Sequence, residues 1–362
     1  MRLNKIQFIG SARVSHFALI ACAVFVLAGC NTKPAEKSEG SPAATLKAIE
    51  FDQKVIAEGL NTPAGLAVQP ESGHLFVSTI DGVIRLDADN NFSANPEIVG
   101  FETDSYGKGP SYSFGPLGLG FVDSKTLAVG GGGQKDGEDQ VWLIDVPMKP
   151  SAPSLKIDQA KKTYGPIGAS DDSFRGEGNF FSLCIVDKKI YTASHGDDSK
   201  AWISSIDLSD DAGQLKPTIA AKTSTFVDGP SGMALLPNGK LLLAQTGELH
   251  ESPDSILAIF DLATGKLEKT IKTGLYDITS VLVDTSVEIF VADFSWAAPD
   301  KGGLYLVDLE GEGAVAKCAS LVHPTALSQS SNGDIFVACA AKSENGDDIP
   351  PHQGMVYLLS RK

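Results

Sequence analysis

The sequence predicts an all-β fold: a six-bladed β-propeller of four-stranded antiparallel blades, closed into a ring by an N-terminal strand that completes the last blade. Three observations predict it. A short apolar run recurs six times at a period of about 50 residues, as LFVST from Leu75, LAVGG from Leu127, IYTAS from Ile190, LLLAQ from Leu241, IFVAD from Ile289 and IFVAC from Ile335. A second run follows each copy and closes on Asp87, Asp145, Asp207, Asp261 and Asp308, with Ser360 in the last. The final copy stops after its third run at Lys362, while a surplus run, Lys47–Ala57, stands ahead of the first. One such unit cannot bury both its faces alone, so six pack radially. Pairing the surplus run with the last copy removes an open edge. Residues 47–362 then form the propeller, at about 53 residues per blade.

The elements follow in order. Residues 1–29 carry Arg2, Lys5 and Arg13, then twelve apolar residues from Phe17 to Ala28. That core is too short to span a bilayer and reads as a signal peptide. It ends in Leu27-Ala28-Gly29-Cys30, which resembles a bacterial lipobox; the resemblance implies a lipid on Cys30, attachment to a membrane and a place in the cell envelope. Residues 30–46 are rich in Pro, Ser, Lys and Glu, the composition of a disordered tether. Without the leader the chain has 45 acidic and 27 basic residues, a net charge of −18. Such a surface repels nucleic acid, and the chain is expected to act as a monomer without it.

Within the propeller, Gly229–Leu267 shows the unit most plainly: apolar runs separated by a Pro-Asn-Gly turn, a polar loop and a Leu-Ala-Thr-Gly turn. The recurring Asp residues fall beside turn glycines, where carboxylates accept backbone N–H bonds. Gly130 to Gly133 follow no strand-to-helix pattern and are expected to give slack near the channel. Past Cys30 come Cys184, a small core hydrophobe, and Cys318 and Cys339, which an oxidising compartment permits to pair. Asp197-Asp198-Ser199 and Glu344 to Asp348 read as solvated turns, since neither has calcium-loop spacing.

The meander sorts the loops. Those joining second to third strands, and each blade to the next, share one face, and they hold the insertions Phe101–Phe114 and Tyr164–Asn179. Entrances to the first strands place Asn61, Glu177, Asp228, Asp277 and His323 around the channel mouth, with His195 and Asp293 nearby. These carboxylates, amide and imidazoles suit a hard divalent cation such as calcium, with Glu177 and Asp228 as its ligands, or general-base chemistry. Trp296 either offers a stacking surface to a ligand or packs between blades.

Pro63 to Val68, Leu75 to Val77 and Gly82 to Ile84 resemble an NHL-type repeat, as does Pro230 to Asp261. The whole pattern is similar to the senescence-marker/gluconolactonase group of six-bladed propellers. That resemblance implies a divalent-cation-dependent, lactonase-like hydrolase with its site at the channel mouth. The group's metal ligands include an Asn or Asp before the glycine of the first strand. The corresponding positions here are Ala64, Leu117, Phe180, Ser231, Thr279 and Thr325, none an amide or carboxylate. Glu177-Gly178 resembles the group's acidic ligand motif. The missing ligands favour a lipid-anchored propeller that binds a small molecule or protein partner at its loop-rich face, with the hydrolase as the alternative.

Overall fold

Six sheets arranged as a ring account for nearly all of the regular structure. The structure, a computed structural model, describes residues 46–106, 112–196, 199–249, 252–310, 313–341 and 351–362. The leader, Cys30, the tether through residue 45, Asp197–Asp198 and Glu344–Asp348 lie outside the described residues. Each recurring apolar run is the second strand of a blade: Leu75–Thr79, Thr126–Gly130, Lys189–Ala193, Leu241–Gln245, Ile289–Asp293 and Ile335–Cys339. They are almost wholly buried, because each sheet is covered on both faces by its neighbours. The first strands line the axis, and each touches the first strand of the blade on either side.

The core is divided accordingly. Six apolar clusters lie one per blade interface, for example Leu242, Leu257, Ile278 and Val291 between blades four and five. Phe76, Leu127, Val129 and Trp142 fill the gap between blades one and two. Burial on this pattern, at about 25 cal/mol per Å2 of apolar surface, drives blade stacking.

Closure follows the expected scheme. Strand Phe51–Leu60 pairs antiparallel with Gly354–Arg361, from Phe51 opposite Arg361 to Leu60 opposite Gly354, and forms the outer strand of the sixth blade. The N–H of Lys362 also donates to the Glu50 carbonyl at 3.1 Å. Arg361 reaches sideways to the fifth blade, donating to Asp284 and Glu288.

A second kind of bond runs around the axis. Each blade donates at least one hydrogen bond to the entrance of the next, and blade four two, from Ser231 and Thr246 to the Ile278 carbonyl. Ser78 Oγ donates to the Leu117 carbonyl (2.5 Å), the Gly118 N–H to Phe180 (2.9 Å), and His195 Nε2 to Pro230 (2.6 Å). Ser231 Oγ donates to Ile278 (2.6 Å), Thr279 Oγ1 to Pro324 (2.8 Å), and Thr325 Oγ1 to Pro63 (2.9 Å). The donors Ser231, Thr279 and Thr325 occupy the very positions examined above for metal ligands. Where that position is Ala64, Leu117 or Phe180, which carry no donor, Ser78, a backbone N–H and His195 take over.

Two local expectations change. An added Cβ on Gly132 would strike the Leu117 side chain, and one on Gly133 the Glu102 carbonyl. The glycine run therefore serves close packing, not slack. Of the five recurring aspartates, Asp87, Asp207, Asp261 and Asp308 accept backbone N–H groups of their turns, at 2.8–3.1 Å. Asp145 instead takes the Thr126 hydroxyl and the Lys161 ammonium. Cys318 and Cys339 are free thiols. Cys184 is buried, which pushes its thiol up to about 12.

Replacing Thr325 by Val keeps the shape but leaves the Pro63 carbonyl unsatisfied between blades six and one. Urea unfolding of Thr325→Val is expected to show a loss of about 1–3 kcal/mol. A variant as stable as wild type would mean that this bond adds nothing to closure.

Candidate functional site

An apolar chamber of about 150 Å3 opens on the axis at the loop-rich face. All six blades contribute to its wall. Phe114, Leu117, Phe181, Phe294 and Trp296 supply the apolar surface, and Asp228 a carboxylate. The rings pack among themselves: Phe294 stacks on Trp296 at 5.5 Å and 12°, and Phe181 lies 4.4 Å from the His195 imidazole. Trp296 both packs on Phe294 and lines the chamber. Below, a smaller space of about 90 Å3 continues between the first strands and is lined by Ser182, Thr279, Ser280 and Thr325.

The polar groups named from the sequence divide into two sets. Asp228 and His195 line the chamber. Asp228 is held by the Lys222 ammonium and by the Gly229 N–H at 2.8 Å. His195 points Nε2 at the Pro230 carbonyl, which can only accept, so Nε2 carries the hydrogen and Nδ1 is left as an acceptor. Burial lowers its pKa against the opposing pull of Pro230 and Asp228, so the ring is neutral at pH 7.

The second set sits inside the walls. Glu177 is fully buried and accepts the Ser173 hydroxyl at 2.6 Å. Asp293 is fully buried and accepts the Asp277 N–H at 2.8 Å. Asp277 accepts the Trp296 N–H at 2.6 Å, which fixes that residue at the chamber edge. Burial pushes the Asp277 carboxyl up to about 7. His323 stacks on Phe294 at 4.7 Å, has no hydrogen bond at either ring nitrogen, and is pushed down by burial to about 4. Asn61 bonds Asp81 at 3.2 Å at the surface. A further buried carboxylate on this face had no signal in the sequence: Asp139, which accepts the Gln134 and Asn179 N–H groups and is raised by burial to about 6.

The donor set of the chamber does not fit a divalent cation. Asp228 is already paired with Lys222, Glu248 is exposed, Glu177 takes the Ser173 hydroxyl inside the wall, and Asp277 and Asp293 accept backbone N–H groups. Among the described residues, three candidate ligands gather within 4.8 Å at one place only, His74, Asp87 and Asp89 on the opposite face. There His74 Nδ1 already accepts the Ala88 N–H at 3.1 Å, while Nε2 meets the Met148 carbonyl at 3.0 Å. No step is derived through a metal.

The chain matches no protein-family model and no curated protein. Solved structures do match. A gluconolactonase from Xanthomonas campestris is 10% identical, with 86% of this chain and 90% of that one covered at a TM-score of 0.55. The PQQ-bound aldose sugar dehydrogenase of Streptomyces coelicolor is 14% identical, covering 86% and 99% at 0.55. The WD40 propeller domain of Doa1 is 12% identical, covering 86% and 97% at 0.51. The fold is a six-bladed propeller. At these identities the likeness extends to architecture alone. PQQ, a tricarboxylate, does not fit this chamber either, for no Lys or Arg side chain lines it among the described residues.

The Asp277 carboxyl is charged at pH 4–7 in the unfolded chain but protonated in the folded one. Its contribution is therefore complete below about pH 4 and lost as pH rises through about 7. Melting curves of wild type are expected to fall across that window, and Asp277→Asn to flatten the fall. Identical slopes in the two proteins would contradict the assignment.

Proposed function

We propose that the protein takes a small organic molecule into the axial chamber, its apolar part against Phe114, Phe181 and Phe294. The convergence of all six blades on one apolar cavity beside Asp228 and His195 carries this reading. A cavity near 150 Å3 suits a single ring. Asp228 supplies an acceptor, and His195 Nδ1 a second one that also serves as a proton acceptor in a reaction.

Between binding alone and turnover, the comparisons support turnover, since gluconolactonases and sugar dehydrogenases recur among the structural neighbours. The corresponding substrates are lactones and aldoses. In this chain, chemistry at the chamber falls to Asp228 and His195. We further infer that a lipid on Cys30 anchors the propeller in the cell envelope, with residues 30–46 as its tether.

A panel of sugar lactones and aldoses, assayed with the purified propeller, tests the reading. Turnover is expected, with His195→Gln lowering kcat/KM by about 10²-fold or more in protein shown by circular dichroism to be folded, since His195 also holds the Pro230 carbonyl. Binding without turnover, followed by Trp fluorescence, would leave the chamber as a receptor site. Absence of both would remove the proposal.

A further inference from the structure

A second cavity, of about 260 Å3, lies on the same face but away from the axis, between blades one and two. It is built by the parts of the chain that exceed the minimal blade. The connection from the third to the fourth strand of blade two runs from Val146 to Lys161, where blade four needs only the turn from Asp261 to Lys266. That long connection adds Leu155–Lys156 as a fifth strand, parallel to the outer strand of blade one, Ser93–Val99. It then delivers Ile157, Asp158 and Ala160 to the cavity. The insertion after blade one delivers Phe101 and Glu102 to the other side. Elaborations that converge from two blades on one cleft are where scaffolds carry function.

The lining has a defined chemistry. Trp142, 9% exposed, forms one wall, braced edge-on by Phe101 at 5.5 Å. Around it stand Glu102, Gln140, Asp158 and Thr163, and none of these four side chains makes a hydrogen bond or ion pair among the described residues. The floor is Gly131 to Gly133, where the missing side chains let the Trp142 ring and the Glu102 backbone approach closely. An indole beside unengaged carboxylate, amide and hydroxyl groups offers an apolar ring face a platform and its hydroxyls both donors and acceptors. Among the described residues no Lys or Arg lines the cleft, which favours a neutral ligand over an anionic one. The volume matches one sugar ring and falls short of drug-sized sites, which begin at about 300 Å3.

We propose that this cleft is a binding site for a neutral sugar ring, seated against Trp142 and hydrogen-bonded by Gln140, Asp158 and Thr163. It is separate from the axial chamber: Gly115 and Pro116 face the cleft, while their neighbours Phe114 and Leu117 face the chamber.

Titration calorimetry with glucose, galactose, N-acetylglucosamine, maltose, cellobiose and chitobiose tests it, alongside intrinsic Trp fluorescence. At least one of these is expected to bind, with Asp158→Ala and Gln140→Ala each weakening it about tenfold or more. Trp142→Phe is expected to abolish the fluorescence change. The side chains of Asp158 and Gln140 hold no other element in place, so melting temperatures of these two variants should match wild type. No binding by wild type at about 50 mM of every saccharide, a range far weaker than specific sites, would overturn the proposal. So would binding that both polar variants leave undiminished, since the saccharide would then sit elsewhere.

Discussion

The ring depends on a constraint at its narrowest point. Six sheets can meet around an axis only if the polar groups of their innermost strands find partners there, because water is largely excluded and each unpaired carbonyl costs about 1–3 kcal/mol. The chain meets this with at least one bond at every junction donated from a blade to the entrance of its successor. The apolar layers between blades supply the bulk of the stacking energy, but they are non-directional. The axial bonds set the angle and height at which neighbouring blades meet.

The same bonds shape the chamber. Hydroxyls that serve the junctions are turned along the ring, toward the next blade, and away from a ligand. What remains to face the axis is largely apolar beside Asp228 and His195: Phe114, Leu117 and Phe181, with Phe294 and Trp296. Metal-binding propellers need oxygen ligands at this level. Here Ser231, Thr279 and Thr325 are committed to carbonyls, and the buried carboxylates Asp277 and Asp293 are committed to backbone N–H groups. His195 belongs to both systems, holding the third junction with one nitrogen and presenting the other.

Much of the fold was legible because its signals are local. Turn glycines and five-residue apolar runs repeat at a fixed period, and a count of strands at the two ends suffices to pair Phe51–Leu60 with Gly354–Arg361. The site was less so. A strand entrance tells which residues lie near the mouth, yet a step of one residue turns a side chain from the axis into the wall. Asp228 falls on the chamber side of that line, and Asp277 and His323 on the other, with His323 held at φ +47 before Pro324. The strand-entrance alignment puts Phe114 at the mouth, while Phe181 carries no such signal, though both line the chamber. The cleft beside Trp142 depends on where the connection from Val146 to Lys161 crosses to another blade, and composition carries no record of a lateral crossing.

The sixth blade unites the earliest and the latest propeller residues to leave the ribosome. Until Gly354–Arg361 has emerged, Phe51–Leu60 has no native ladder to join, and the first five blades exist with an unsealed seam. Closure of the ring therefore waits on the last blade to be made, and loss of Gly354–Arg361 forfeits the closure as a whole, not merely a strand.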